Sequence, residues 1–126
     1  MSNRDQNIKT LRPLIPTISE KNITSDSEYF QNTTLRPILK LQHDLLLQIF
    51  QHYVIQRKNI FQKLSPEKKL NYIENSIRKD LNFRSLLIGI VVGHLTFEEF
   101  ELYSENENEL RKRLINMLIE RIKSQF

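Results

Sequence analysis

Residues 65–92 read SPEKKLNYIENSIRKDLNFRSLLIGIVV, and this stretch decides the fold class. Ser65 can accept hydrogen bonds from first-turn amides, Pro66 fits the first position of a helix, and Glu67 favours the positive end of the helix dipole. The apolar residues after them recur at helical spacing, at Leu70, Ile73 and Ile77. The first half of the stretch therefore predicts an amphipathic helix.

The second half of the stretch is almost continuously apolar. Asp80 or Asn82 offers a side-chain cap for a helix that begins there. The apolar residues beyond this cap would surround the helix axis: Phe83, Leu86, Leu87, Ile88, Ile90, Val91 and Val92. That distribution is typical of a central, buried helix, although the β-branched residues also fit a strand.

A long helix is expected upstream of the stretch, ending at about Phe61 or Leu64. Thr33 or Thr34 can cap its start, and Pro37 fits its first turn. Apolar residues keep the helical period along it, at Ile38, Leu41, Leu45, Ile49, Tyr53 and Ile60. Its other faces are also rich in apolar residues, which predicts packing on more than one side.

Two patterns downstream of the stretch resemble a capping box. Thr96-Phe-Glu-Glu99 matches the reciprocal box, with Leu95 and Phe100 in the positions of a hydrophobic staple. Ser104-Glu-Asn-Glu107 repeats the pattern and predicts the start of the last helix. The buried stripe of that helix is expected at Leu110, Leu114, Met117, Leu118 and Ile122. Together these signals predict an all-α domain, a small bundle of four to five helices over residues 27–126.

Residues 1–26 differ in character from this domain. They are polar, contain Pro13 and Pro16, and lack a sustained apolar period. The two prolines favour an extended backbone over the apolar segment from Leu11 to Ile18. We therefore predict an extended or flexible N-terminal arm over residues 1–26, with Ser25 or Ser27 capping a short helical turn at its end.

Composition excludes several classes of protein. The chain of 126 residues has no cysteine, which excludes a disulfide-stapled scaffold, and its two glycines are too few for Gly-rich phosphate loops. The longest apolar run, residues 86–92, is far shorter than the ~20 residues that span a bilayer. Without a recognisable secretory signal, a cytoplasmic location without membrane contact is expected.

The residues able to carry chemistry form no recognised catalytic or metal-binding motif. His43 and His52 lie nine residues apart on the predicted long helix, on opposite sides at about 180°, and cannot share a metal within it. His94 belongs to no ligand motif. Six glutamates between Glu98 and Glu109 fit solvated first turns of two helices. Catalytic residues, a cofactor and a metal are therefore not expected.

Charge is distributed unevenly along the chain, whose net charge is +4. Residues 28–84 hold ten basic and five acidic side chains, whereas residues 85–104 hold three acidic and no basic ones. A basic face would include Lys68, Lys69, Arg78, Lys79 and Arg84. It lacks a long basic run and interleaved aromatic residues, so nucleic-acid binding stays an alternative that is not favoured. Arg36 could anchor the arm beside a carboxylate or contact an anionic ligand near a helix start.

The surplus of apolar residues predicts an interaction protein. An apolar arm and a long helix that is apolar on several sides exceed what a bundle of this size buries easily. We expect a non-catalytic homodimer, or contact with an unidentified protein partner. The residues predicted for the interface are Leu11, Leu14, Ile15 and Ile18 in the arm, and Phe50, Tyr53 and Val54 on the long helix.

Three segments also resemble a family of small bacterial proteins. They are Thr34-Leu-Arg-Pro-Ile-Leu-Lys-Leu-Gln42, Ser65-Pro-Glu-Lys-Lys-Leu-Asn-Tyr-Ile-Glu74 and Asn116-Met-Leu-Ile-Glu-Arg121. The resemblance covers roughly residues 28–124, and members of the family often carry the label "glyoxalase". It therefore implies glyoxalase activity. Glyoxalases of the vicinal-oxygen-chelate kind have paired βαβββ modules with metal ligands on strands. No position here matches that pattern, so no site residues are transferred.

Overall fold

In the computed structural model, residues 3–14 and 25–126 are described, and these residues form helices and no strand. The all-α prediction is confirmed. The helices are α1 (Asn3–Leu11), α2 (Asp26–Phe30), α3 (Arg36–Leu41), α4 (His43–Gln56), α5 (Pro66–Arg78), α6 (Leu81–Val92), α7 (Phe97–Glu105) and α8 (Glu107–Lys123). A 3₁₀ turn, Ile60–Lys63, connects α4 to α5. None of these helices combines the length and apolarity needed to cross a membrane.

Three of the predicted helix starts are confirmed. The Ser65 side chain accepts from the Lys68 amide, and Asp80 accepts from the first turn of α6. Residues 81–92 are therefore helical, and the strand alternative is excluded. Thr96 and Glu99 form the reciprocal box: the Glu99 amide donates to Thr96 Oγ1 at 3.2 Å, and the Thr96 amide donates to Glu99 Oε1 at 2.9 Å.

The start predicted at Thr33 or Thr34 is wrong. The chain is already helical from Asp26, where Ser25 is the N-cap and accepts from the Glu28 amide at 3.0 Å. It continues through a π-helical turn, Gln31–Leu35, directly into α3. Thr33 caps no helix start because it lies inside this continuous helical run, where its hydroxyl donates to the Tyr29 carbonyl of the preceding turn.

The start predicted at Ser104 is also wrong. Its hydroxyl donates to the Glu101 carbonyl at 2.9 Å, within α7. Helix α7 continues to Glu105, and α8 begins at Glu107 after a single residue, Asn106. The pattern alone cannot distinguish a cap from a serine in the last turn, because both satisfy a local backbone group.

Helix α8 organises the core. It packs on α4, α5, α6 and α7 and on the π-helical turn. Its inward stripe is buried, at Leu110, Leu114, Leu118, Ile119 and Ile122. At one end of the core, the fully buried Phe50 of α4 lies among five aromatic rings, those of Tyr53, Phe61, Tyr72, Phe83 and Phe126.

Candidate interaction surface

The three α4 residues predicted for the interface belong to the core instead. Phe50, Tyr53 and Val54 are exposed to only 0%, 9% and 1%. The Tyr53 and Phe83 ring centroids are 4.0 Å apart, and the Phe50 and Phe61 centroids are 5.2 Å apart. The prediction for these three residues is wrong because aromatic residues of the same chain already cover this side of α4.

Tyr53 also takes part in a polar cluster at the edge of the core. Its hydroxyl donates to Asp80 Oδ2 at 3.0 Å, and Arg57 Nη2 donates to the same oxygen at 3.2 Å. The Arg57 guanidinium stacks on the Tyr53 ring, with its carbon 3.4 Å from the centroid. Burial, reinforced by the hydrogen bond to Asp80, raises the pKa of Tyr53 to about 12.

The raised pKa of Tyr53 predicts a loss of stability at high pH. Above pH 10 the unfolded tyrosine ionises, whereas the folded one stays protonated until about pH 12. The stabilisation is therefore complete below pH 10 and disappears as the pH rises through 12. We expect ionisation of this residue to lower the free energy of unfolding by about 2–3 kcal/mol over that range. Urea denaturation from pH 9 to 12 measures the fall in the free energy of unfolding. Tyr53→Phe should remove the part of this fall that comes from Tyr53. If the free energy of unfolding depends on pH identically in both proteins, Tyr53 is not the residue responsible.

The first residues of the predicted arm are helical rather than extended. Residues Asn3–Leu11 form α1, and Asp5 and Ile8, three residues apart, are buried. Pro13 comes after the helix and does not interrupt it. Ile15 and Ile18, which were also predicted for the interface, lie outside the described residues.

An ion pair fixes the end of α1 to the start of α7. Arg12 donates to both carboxylate oxygens of Glu99, Nη1 to Oε2 and Nη2 to Oε1, each at 2.6 Å. Nη2 also donates to the His94 carbonyl at 2.7 Å. The two side chains are only 10% and 13% exposed, so this fork-to-fork pair is largely shielded from water.

The start of α1 binds the connection between α6 and α7. Asp5 Oδ2 accepts from the Phe97 amide at 3.2 Å, at the N-terminus of α7. Arg4 donates to the Gly93 carbonyl at 2.8 Å and to the Leu95 carbonyl at 3.0 Å, just past the end of α6. Each charge thus meets the backbone groups that a helix end leaves unpaired.

Titratable groups at this junction are shifted by their surroundings. Burial alone would raise the pKa of Glu99, but hydrogen bonds from Arg12 and from the amide and hydroxyl of Thr96 hold it below its usual value. Burial, then the charges of Arg12 and Arg4, lowers the pKa of His94. A neutral His94 ring fits its contact with the side-chain amide of Gln42.

Helix α1, the residues just after it, and α7 present apolar side chains to solvent. Leu11 is 60% exposed and Leu14 is 90% exposed, while Phe97 and Phe100 of α7 are 60% and 49% exposed. The Arg4 guanidinium carbon lies 5.8 Å from the Phe97 ring centroid, which ties the two helices together at this place. We call these four residues, Leu11, Leu14, Phe97 and Phe100, the corner surface.

Sequence patterns identified only part of this arrangement. The staple prediction is half right, since Leu95 is buried but Phe100 is about half exposed. The anchoring arginine is Arg12, whereas the sequence had indicated Arg36 as a candidate for that role. The Asp5 and Ile8 spacing was the available helical signal, but the backbone carbonyls that Arg4 and Arg12 contact lie more than 80 residues away.

The histidines occupy separate environments. His43 contacts Arg121, His52 is exposed, and His94 contacts Gln42. Across residues 3–14 and 25–126, no three His, Asp or Glu side chains lie close enough together to hold a metal ion.

No protein-family model, curated protein or solved structure matches this chain. The resemblance to the glyoxalase-labelled family therefore stays a prediction.

Proposed function

We propose that this chain is a non-catalytic helical interaction protein that forms a homodimer through the corner surface. One observation carries the proposal: Leu11, Phe97 and Phe100 are at least about half exposed on helices α1 and α7, which buried polar contacts fix to each other, and the exposed Leu14 follows α1. Because these contacts fix α1 on α7, little backbone ordering is needed on binding, which favours affinity.

A second copy of this chain suits the corner surface because exposed charges of both signs lie on the helices that carry it. Exposed Lys9 lies on α1, and exposed Glu98 and Glu101 lie on α7 beside the phenylalanines. In a two-fold dimer the same patch meets itself, so opposite charges around an apolar centre can pair across the axis. The apolar centre supplies most of the affinity, and the charges set the orientation.

The oligomeric state tests this proposal. Light scattering and sedimentation of the full chain should give the mass of a dimer. The double variant Leu11→Asp and Leu14→Asp should weaken dimerisation at least tenfold, because two carboxylates would be desolvated against apolar side chains. Phe97→Ser should act in the same direction without altering α1.

Ile55→Asp is the matched control, since Ile55 is a 65% exposed aliphatic residue on α4. It should leave the mass of the dimer unchanged. Circular dichroism should show the helix content of every variant to be that of the original chain. A monomer in the unaltered protein, or an unchanged dimer in the Leu11/Leu14 and Phe97 variants, would refute the proposal.

A further inference from the structure

A basic cleft lies between the α2–α3 segment, the start of α4, and α8. Its volume is about 850 Å³, within the range of small-molecule sites. The basic side chains that line it are Arg36, His43, Lys112, Arg113 and Arg121. The cleft shares no residue with the corner surface, so a ligand could bind there whether or not the proposed dimer forms.

Two arginines in this cleft lack a carboxylate. Arg113 is paired with Glu109 at 2.9 Å, but Arg36 and Arg121 form no ion pair anywhere in residues 3–14 and 25–126. Arg36 donates to Asn32 Oδ1 at 3.2 Å, and Arg121 Nη1 lies 3.2 Å from His43 Nδ1. Both therefore keep N–H groups for another acceptor.

Arg36 and Arg121 also repel each other. Burial and the nearby charge of Arg36 lower the pKa of Arg121. Glu109 is engaged by Arg113, which leaves Glu120 as the other carboxylate among the residues that line the cleft. An anion held between the two guanidinium groups would remove their repulsion and use their unpaired donors.

The π-helical turn lies directly before Arg36. The Arg36 amide donates to the Gln31 carbonyl five residues earlier, so the turn holds one residue more than an α-helical turn. The extra residue rotates the rest of the helix by roughly 100° about the axis. The turn thus determines which way Arg36 faces, and single π-turns inside helices are frequent at functional sites.

The remaining lining suits an organic group beside the anion. Leu39 is fully buried and Met117 is half-buried, and both line the cleft. We propose that the cleft binds a phosphorylated small molecule, with its phosphoryl group held by Arg36 and Arg121 and its organic part on the partly exposed Met117. Planar guanidinium groups match the oxygen geometry of a phosphoryl group.

Titration of the full chain with inorganic phosphate and with phenyl phosphate tests this site. Calorimetry and NMR of the arginine Nε–H groups should show binding of both anions. Phenyl phosphate should bind at least threefold more tightly than inorganic phosphate, because its ring contacts Met117. Arg36→Gln and Arg121→Gln should each weaken binding at least tenfold.

Lys79→Gln is the matched control, because it removes one positive charge outside the cleft. It should change affinity less than twofold. Equal losses of affinity in Lys79→Gln and in the arginine variants would indicate non-specific electrostatic attraction and overturn the proposal. The absence of binding of either anion would also overturn it. Tighter binding of a single-stranded oligonucleotide, lost in the same arginine variants, would also overturn it in favour of nucleic acid. If Arg121→Gln fails to fold, the affinity of Arg36→Gln alone decides whether the proposal holds.

Discussion

Replacing Phe50 by alanine is expected to lower the free energy of unfolding by about 3–5 kcal/mol. Phe50 is fully buried, and its ring meets Phe61 edge-on with centroids 5.2 Å apart and Phe126 at 5.9 Å. Removing it leaves a cavity bounded by rings from the 3₁₀ turn, α5, α6 and the C-terminus, which cannot all close inward together. Urea denaturation followed by circular dichroism measures the change.

The same substitution separates a core residue from an interface residue. A residue at a subunit contact would change the mass in solution and leave the folded monomer stable. Phe50→Ala should instead destabilise the chain at every protein concentration. Leu86→Ala is the control, since Leu86 is about half exposed on α6; it should cost less than about 0.5 kcal/mol. A Phe50→Ala loss below about 1 kcal/mol would contradict this packing of the aromatic rings.

Local signals predicted most of the helices. The caps at Ser65, Asp80 and Thr96 were identified because each depends on residues at most three positions away. The stripe of α8 was identified for a similar reason, since a helix of 17 residues repeats its apolar spacing several times. Helix caps and apolar spacing depend on residues close together in the sequence, so they can be predicted without the tertiary structure.

Burial against a particular neighbour could not be predicted in this way. The apolar character of Phe50 and Val54 was evident, but the sequence does not say whether the same chain or a second copy covers them. The choice depends on Phe61 and Phe83, which reach α4 only after the chain has folded back. Apolarity predicts that a surface is covered and not what covers it.

The basic cleft also combines a residue that the sequence indicated with one that it did not. The sequence indicated Arg36 as a possible anion contact because it lies near a helix start. Arg121, 85 residues later on α8, gave no such signal, and the π-helical turn has no sequence pattern of its own. The pair exists only because α8 packs on the α2–α3 segment.

Replacing Arg12 by alanine is expected to release α1 from the bundle at a cost of about 2–4 kcal/mol, because breaking a largely buried pair leaves one charge uncompensated. Glu99 would remain at the start of α7 without its bidentate partner. Hydrogen exchange of the α1 amides should accelerate about 30-fold or more, while the α8 amides keep their protection. Arg78→Ala, at an exposed pair with Glu74, should cost less than about 1 kcal/mol.

Acid should release α1 from the bundle, as Arg12→Ala does. The lowered pKa of Glu99 means that its stabilisation is present above its ordinary value near 4.5 and is lost as the pH falls below that value. The protection of the α1 amides, measured relative to the intrinsic exchange rate at each pH, should therefore fall below pH 4.5 in the unaltered chain and change little in Arg12→Ala. Glu99→Gln keeps the capping box, because glutamine also serves at this position, and removes the charge together with one of the two oxygens that accept from Arg12.

A double-mutant cycle of Arg12→Ala and Glu99→Gln isolates the ion pair from the packing of α1. We expect a coupling energy of at least about 1 kcal/mol, since the two side chains share two hydrogen bonds away from water. Leu11 directly precedes Arg12, so releasing α1 also dismantles the corner surface. Arg12→Ala should therefore weaken the proposed dimer as well. A dimer that survives with α1 released would place self-association elsewhere on the chain and leave the anchoring role of Arg12 intact.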